Sequence, residues 1–521
     1  MRGSLKLIIV ASVLLIGFLL VKWRTEDPPV RDVDESPRVV SRRFRPRQSF
    51  DSSGAEFIYA LVPPWQPADS LDKIADHWSR ATRPILGDEA SAPGVAGSDA
   101  MQRVDTLMRE ALALNYEGRP REALTRLAEA RDIANEDEQI GNDFLYTLIF
   151  YQGVTALRCG ENDNCIACRG ESSCILPLHA SAVHTNQQCS RLAVGFFREY
   201  LEQFPDDIGA KWLLNLAHMT LGEHPHGVEE RYRLELGRVE PAGQEIAPFR
   251  NISAEVGFDR LNQAGGGILD DFDRDGLLDV ITTSMDSTQP MWFCRNSGGE
   301  AFVDSSAAAR LTEQLGGLYC VQTDYNNDGF LDVYIPRGAW KHTPIRPTLL
   351  HNNGDGTFTD VTDECALLDP VNSITALWAD FDNDGNLDLY VCCEKQPNRL
   401  FRSRGNGIFL DIAAEAGAQG EDSPGCMGGT CLDFENDGDL DLFITNLTGT
   451  AQLLRNDDGL SFSDVTQTMG IDGPQRGFSC WTWDYDNDGW TDIFATCYDL
   501  DIESAVQGVL GLPHGKQISR L

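Results

Sequence analysis

Five short runs of carboxylates raise the chemical question in this 521-residue chain: DFDRDGLLD (271–279), DYNNDGFLD (324–332), DFDNDGNLD (380–388), DFENDGDLD (433–441) and DYDNDGWTD (484–492). Positions 1, 3, 5 and 9 are Asp271, Asp273, Asp275 and Asp279 in the first run, and Asp324, Asn326, Asp328 and Asp332 in the second. They are Asp380, Asp382, Asp384 and Asp388 in the third, Asp433, Glu435, Asp437 and Asp441 in the fourth, and Asp484, Asp486, Asp488 and Asp492 in the fifth. Carboxylates held this close repel one another and call for a counter-charge. Oxygen donors at alternate positions of a tight loop suit Ca²⁺, which takes 6–8 oxygens at roughly 2.3–2.6 Å. Gly at position 6 permits the sharp turn. The backbone carbonyl of position 7 (Leu277, Phe330, Asn386, Asp439, Trp490) adds a ligand, and the position-9 aspartate closes the shell. The expectation is one Ca²⁺ per loop, about five in all.

The loops are not EF-hands. Position 12, which must be an acidic bidentate ligand there, is Thr282, Ile335, Val391, Ile444 and Ala495. The residues after position 9 are β-branched or aromatic, so each loop leads into a strand. The first aspartates are separated by 53, 56, 53 and 51 residues, a repeat period that sets the architecture. A second element repeats with them: NSGGEAFVDS (296–305), NNGDGTFTDV (352–361), SRGNGIFLDI (403–412) and NDDGLSFSDV (456–465) read as hairpin turn followed by strand. Phe249 supplies a fifth such anchor.

These loops require a scaffold. Residues 1–24 carry a basic start and an apolar run from Leu7 to Val21, expected to be an export signal retained as a membrane anchor. Residues 25–98, rich in Pro and Arg, are expected to be a flexible linker, either solvated or touching anionic lipid. From residue 99 to 240 the period is helical, with pairs at 101–134 and 190–225 broken at Gly118-Arg119-Pro120 and Pro205-Asp206-Asp207; these hairpins resemble tetratricopeptide units and offer a protein-docking face. Between the pairs lie Cys159, Cys165, Cys168, Cys174 and Cys189. Disulfides are the default in an exported chain, with a metal site as the alternative. Arg169 stands where haem attachment needs His.

With F-x-D strands, DxDxDG loops and NRLFRSRGNGIF-type hairpins, the segment resembles the FG-GAP/VCBS repeats of integrin-type β-propellers. GGLYCVQTDYNNDGFLDVYIPRGAW, WTWDYDNDGWTDIFATCYD and KWLLNLAHMTLGEHP are similar to the ASPIC/UnbV group of exported bacterial proteins, relatives of cartilage acidic protein. The resemblance covers about residues 140–521 and implies a multidomain α plus all-β chain: membrane segment, helical domain, then a calcium-stabilised propeller over 245–521 with five repeats present. A family C-terminal domain is not found, and KQISRL lines up with a third strand. Two readings follow, a truncated larger propeller or a five-bladed ring closed by the strand of Phe249, and truncation is preferred.

The net charge of −37 excludes nucleic acid as a partner. The repeated loops read as structural ligands, since an active site would be singular, and no G-x-S-x-G or phosphate loop occurs. The expectation is therefore a non-enzymatic, extracytoplasmic calcium-binding protein for protein or glycan recognition or adhesion. Arg337, Trp340 and the insertion at 498–515 are its candidate partner contacts. The alternatives are a propeller enzyme (hydrolase or lyase) with an axial site, or a helical-repeat scaffold of an envelope assembly.

Overall fold

A computed structural model describes residues 44–49, 70–71, 73–75, 100–165, 176, 178, 180–235, 252–258, 260, 262, 265–299, 301–339, 344–420, 425–498 and 502–513. The architecture is a helical N-terminal region followed by a β-sheet-rich repeat region. The expected membrane anchor (1–24) lies outside the described residues; among those described, no helix is long and apolar enough to cross a membrane.

The helical region comprises α1 (Ala100–Tyr116), α2 (Pro120–Glu136), α3 (Glu138–Asn164), α4 (Gln188–Gln203) and α5 (Ile208–Thr220). The predicted breaks are where the chain turns. Gly118 takes φ 74°, and Pro120 opens α2, where no N–H is needed. Asp137 and Asp207 cap α3 and α5, accepting from Ile140 N and Ala210 N at 2.9 Å each. Sequence reading missed α3, because it is buried on nearly every side and shows no single apolar stripe. Leu148, Phe150 and Val154 of α3 share one core with Leu107, Leu127, Phe197 and Leu213. Gly153 lets α3 and α4 meet: a Cβ there would stand 2.6 Å from the Phe197 ring.

Residues 44–49, expected to belong to a solvated linker, instead lie against this region. Arg45 N donates to Asn142 O at 2.8 Å and Gln48 N to Thr147 Oγ1 at 3.0 Å. Arg47 lies over the Phe150 ring and donates Nε to Asp207 Oδ2 at 2.9 Å. Leu71 and Ile74, from the same expected linker, pack on Ile345 of the repeat region.

The repeats form successive antiparallel meanders. Sheet one holds β1 (Gly267–Asp270), β2 (Asp279–Thr282), β3 (Trp292–Asn296) and β4 (Phe302–Asp304). Sheet two holds β5 (Val321–Thr323), β6 (Asp332–Ile335), β7 (Thr348–Asn352) and β8 (Phe358–Asp360). Sheet three holds β9 (Ser373–Ala379), β10 (Asp388–Cys393), β11 (Arg399–Ser403) and β12 (Phe409–Asp411). Sheet four holds β13 (Cys426–Leu432), β14 (Asp441–Asn446), β15 (Gln452–Asn456) and β16 (Phe462–Asp464); β17 (Gly477–Trp483) and β18 (Asp492–Cys497) pair as a fifth. The second strands β6, β10 and β14 are buried along their whole length because a sheet packs on each side. Sheets one and two share Ile281, Phe293, Val333 and Ile335; three and four share Tyr390, Leu400, Leu442 and Ile444. The stretch after β18 contains α6 (Ile502–Val509), whose Ile502 and Val506 enter the core of the helical region. Within the stretch expected to be a partner contact (498–515) these two side chains face inward, whereas Val509 and Leu512 are exposed. Arg47 Nη2 donates to Glu503 of α6 at 3.0 Å, so one buried cation links three distant segments.

Candidate metal-binding loops

All five carboxylate runs join the first strand of a sheet to its second, with one shared geometry. Position 9 pairs in register with the residue just before position 1: Asp279 with Asp270, Asp332 with Thr323, Asp388 with Ala379, Asp441 with Leu432 and Asp492 with Trp483. Within the turn, the position-1 carboxylate accepts from two backbone N–H groups, as Gly276 N and Asp275 N donate to Asp271 at 2.9 and 3.1 Å. Asp324, Asp380, Asp433 and Asp484 repeat this pattern. Asp275, Asp328, Asp384, Asp437 and Asp488 at position 5 accept from the N–H of position 7. Gly at position 6 has φ between 86° and 96° in every loop. Position 4 is also left-handed, at Arg274, Asn327, Asn383, Asn436 and Asn487 (φ 53–60°). Four of these five are Asn, a type that tolerates the conformation. That signal lies in the sequence itself.

The position-9 aspartates do more than close a shell. Asp279, Asp332, Asp388 and Asp441 are fully buried. One oxygen accepts from the N–H of position 2 (Phe272, Tyr325, Phe381, Phe434) at 3.1–3.3 Å. The other accepts from a third-strand N–H, from Asn296, Asn352, Ser403 and Asn456, at 2.7–2.8 Å. Burial pushes the Asp332 and Asp388 carboxyls up to about 7, against the pull of these backbone bonds, and raises Asp279 and Asp441 in the same direction. Asn352 also reaches back to the preceding sheet, donating Nδ2 to Phe272 O at 2.8 Å, and Asn456 does the same to Phe381 O at 2.9 Å. The sequence pattern marks these asparagines only as hairpin residues. The loops touch one another too: Asn327 Nδ2 donates to Gly385 O at 3.1 Å and Asn383 Nδ2 to Asp439 Oδ1 at 2.8 Å.

Position 3 meets a basic side chain from the third strand. Arg295 pairs with Asp273, Arg402 Nη2 with Asp382 Oδ2 at 2.5 Å, and Arg455 Nε lies 3.9 Å from Glu435. In the second sheet His351 Nδ1 lies 3.1 Å from Asp332 and 3.4 Å from the Asn326 amide. This corrects the premise that the quartets stand unneutralised, since three carry a partial counter-charge from an arginine of their own sheet. A cation still fits. Three loops bring three carboxylate oxygens within 4.8 Å of one another: Asp271, Asp273 and Asp275; Asp380, Asp382 and Asp388; Asp484, Asp486 and Asp488. Asp382 Oδ1 is buried without a hydrogen-bond partner. Among the described residues the second and fourth loops form no such triple; there Asn326 and the longer Glu435 occupy position 3.

The remaining expected site residues separate clearly. Arg337 is 2% exposed and donates to Leu315 O, Thr348 Oγ1 and Gln314 Oε1, so it is an internal strut and not a partner contact. Trp340 lies outside the described residues. Cys159 and Cys189 form a disulfide between α3 and α4, with their Cα atoms 5.7 Å apart. Cys165 Sγ sits 3.8 Å from His184 Nε2, while Cys168 and Cys174 lie outside the described residues.

The repeated loop-and-hairpin unit defines the class: residues 271–335, 342–391, 380–444 and 433–495 match the FG-GAP-like repeat family, so this region carries FG-GAP-like repeats. It is related to cartilage acidic protein. Cartilage acidic protein 1 of human is 27% identical over 217 residues, which cover 40% of this chain and 32% of that protein. The mouse and Xenopus tropicalis forms are also 27% identical, each over 40% of this chain and 33% of their own length. The match therefore spans about a third of the curated relatives. The crystal structure of the V. cholerae biofilm matrix protein Bap1 aligns with TM-score 0.27 and 13% identity over 45% of this chain and 35% of that one, a likeness too low to carry an argument.

Proposed function

We propose that the chain is a non-enzymatic, extracytoplasmic recognition protein whose five sheets are blades of a β-propeller held by calcium, one ion per loop. The observation that carries this reading is the common loop frame, a turn shaped by left-handed residues at positions 4 and 6, with three carboxylate oxygens converging in the first, third and fifth loops. Side chains at positions 1, 3, 5 and 9 would hold the ion, with the carbonyl of position 7. The ion supplies positive charge where like charges meet. The residues themselves shape the turn through backbone N–H bonds and pin it to the third strand through position 9.

Repetition argues against catalysis, because equivalent groups recur in each loop. The Cys159–Cys189 disulfide supports an oxidising compartment, and extracellular calcium modules of about 10⁻⁴–10⁻³ M affinity are filled outside a cytosol. Residues 1–24 would supply a signal or membrane anchor, and the helical region a docking face for a protein. The ligand class is protein or glycan.

Calcium titration into chelator-stripped full chain, by calorimetry with thermal melting in parallel, tests the reading. About five sites with a large rise in melting temperature are expected. Absence of binding would overturn it and leave Arg295, Arg402 and Arg455 as the counter-charges of the first, third and fourth loops.

A further inference from the structure

The cysteines of the repeats sort by seam. Cys392 and Cys393 are neighbours at the end of β10, yet they face opposite sides. Cys392 belongs to the core shared by sheets three and four, and Cys393 to the core shared by sheets two and three. Cys426 opens β13 and joins Cys392 in its seam. Each of the two sits at a register shift, between Cys392 and Cys393 in β10 and between Cys426 and Gly428 in β13. Such bulges re-aim side chains.

Both sulfurs lie against one pair of glycines. Cys426 Sγ donates to Gly428 O at 3.6 Å, and a Cβ on Gly429 would stand 3.2 Å from Cys392 Sγ. Both are free thiols in this structure and belong to one core cluster. Both residues are fully buried. Two other thiols of this neighbourhood make carbonyl contacts of their own. Cys393 Sγ points to Val391 O at 3.6 Å and Cys480 Sγ to Phe443 O at 3.9 Å. Cys431 lies five residues along β13 from Cys426, about 15 Å at strand rise.

We propose that Cys392 and Cys426 form a disulfide that stitches the third sheet to the fourth. The chain already closes one disulfide, between Cys159 and Cys189, so it forms such bonds. The reaction is thiol–disulfide exchange with a disulfide donor, either an oxidised dithiol protein or a low-molecular-weight disulfide. The two thiols give up two protons and two electrons, an S–S bond forms between them, and the donor's S–S bond becomes two thiols. The neighbouring Cys426 thiol and burial suppress the Cys392 thiolate in the folded seam. The bond therefore closes while the seam is still open, and the packed seam then shields it from reductant.

The test is disulfide mapping of the full chain, exported into an oxidising compartment and purified without reductant. The protein is alkylated with iodoacetamide in denaturant, digested and sequenced by mass spectrometry. The Cys392 peptide is expected to be cross-linked to the Cys426 peptide, with fragment ions assigning the bond to Cys392 and not Cys393. Cys393→Ser should keep the link, and Cys392→Ser should leave Cys426 alkylated. An alkylated Cys426 in the wild-type protein, or its linkage to Cys393 or Cys480, overturns the proposal. The wild-type map decides even where a variant does not fold.

Discussion

The helical region and the repeat region solve the same problem with different resources. Five helices share a single apolar core in which Phe197, Leu148 and Leu213 are wholly buried. The repeats divide their apolar surface among several small seams, one between each pair of sheets. Thin seams leave more of the ordering to polar groups, and here these are buried aspartates, reaching asparagines and the carboxylate loops. The helical region should thus depend mainly on packing and be indifferent to calcium, whereas the repeats should depend on ions and on a few hydrogen bonds.

Calcium removal is the harshest test of that contrast. A site held at a hundred times its Kd stabilises by about 2.7 kcal/mol, so losing several should lower the melting temperature of the repeats strongly. The helical signal in circular dichroism should move little; a joint collapse of both would show that the regions are one cooperative unit. Next in size, Phe197→Ala should destabilise the helical region by about 3–5 kcal/mol, because it opens a cavity over Gly153. Denaturant unfolding should show this equally with calcium and with chelator.

Two smaller effects address the polar links. Asn352→Ala leaves Phe272 O and Leu331 O without their side-chain donor and should cost about 2 kcal/mol in the repeats, read as a shift in their chelator-sensitive transition. Arg47→Ala removes the partner of Asp207 and Glu503; about 2 kcal/mol is expected, and loss of coupling between the two transitions would show that this contact joins the regions.

The last effect is on pH. Asp332 and Asp388 titrate near 7 when folded, above the ordinary 3.8. A raised carboxyl contributes stability below the unfolded value and loses it as pH rises through the folded one. Metal-free repeats should therefore weaken between about pH 4 and 7. With saturating calcium the trend should reverse, since the ion favours the ionised carboxylates. Glu161 of α3, pushed up to about 7 by burial, should weaken the helical region over the same range whether or not calcium is present.

The loops were legible because their signal is local. Spacing of carboxylates, Gly at position 6 and the strand residues after position 9 all fall within about a dozen residues, the scale on which turns and strands are specified. The helix pairs were legible for the same reason, each having a polar face and a marked break. α3 was not, because burial on all sides removes the periodicity that identifies a helix. Arg337 looked like a surface cation in an irregular insertion; folding places it under Gln314, Leu315 and Thr348, three residues no local pattern connects to it.

The residue order of this chain specifies its repeat unit, its turns and its oxygen-rich loops, since each depends on backbone preferences and contacts a few residues apart. The fold alone supplies the pairing of Cys159 with Cys189, the basic side chains that lean on position 3, and the docking of residues 44–49 and of α6 on the helical core. Those contacts join segments far apart in the chain. Their energies arise from burial and close approach, which have no counterpart along the sequence.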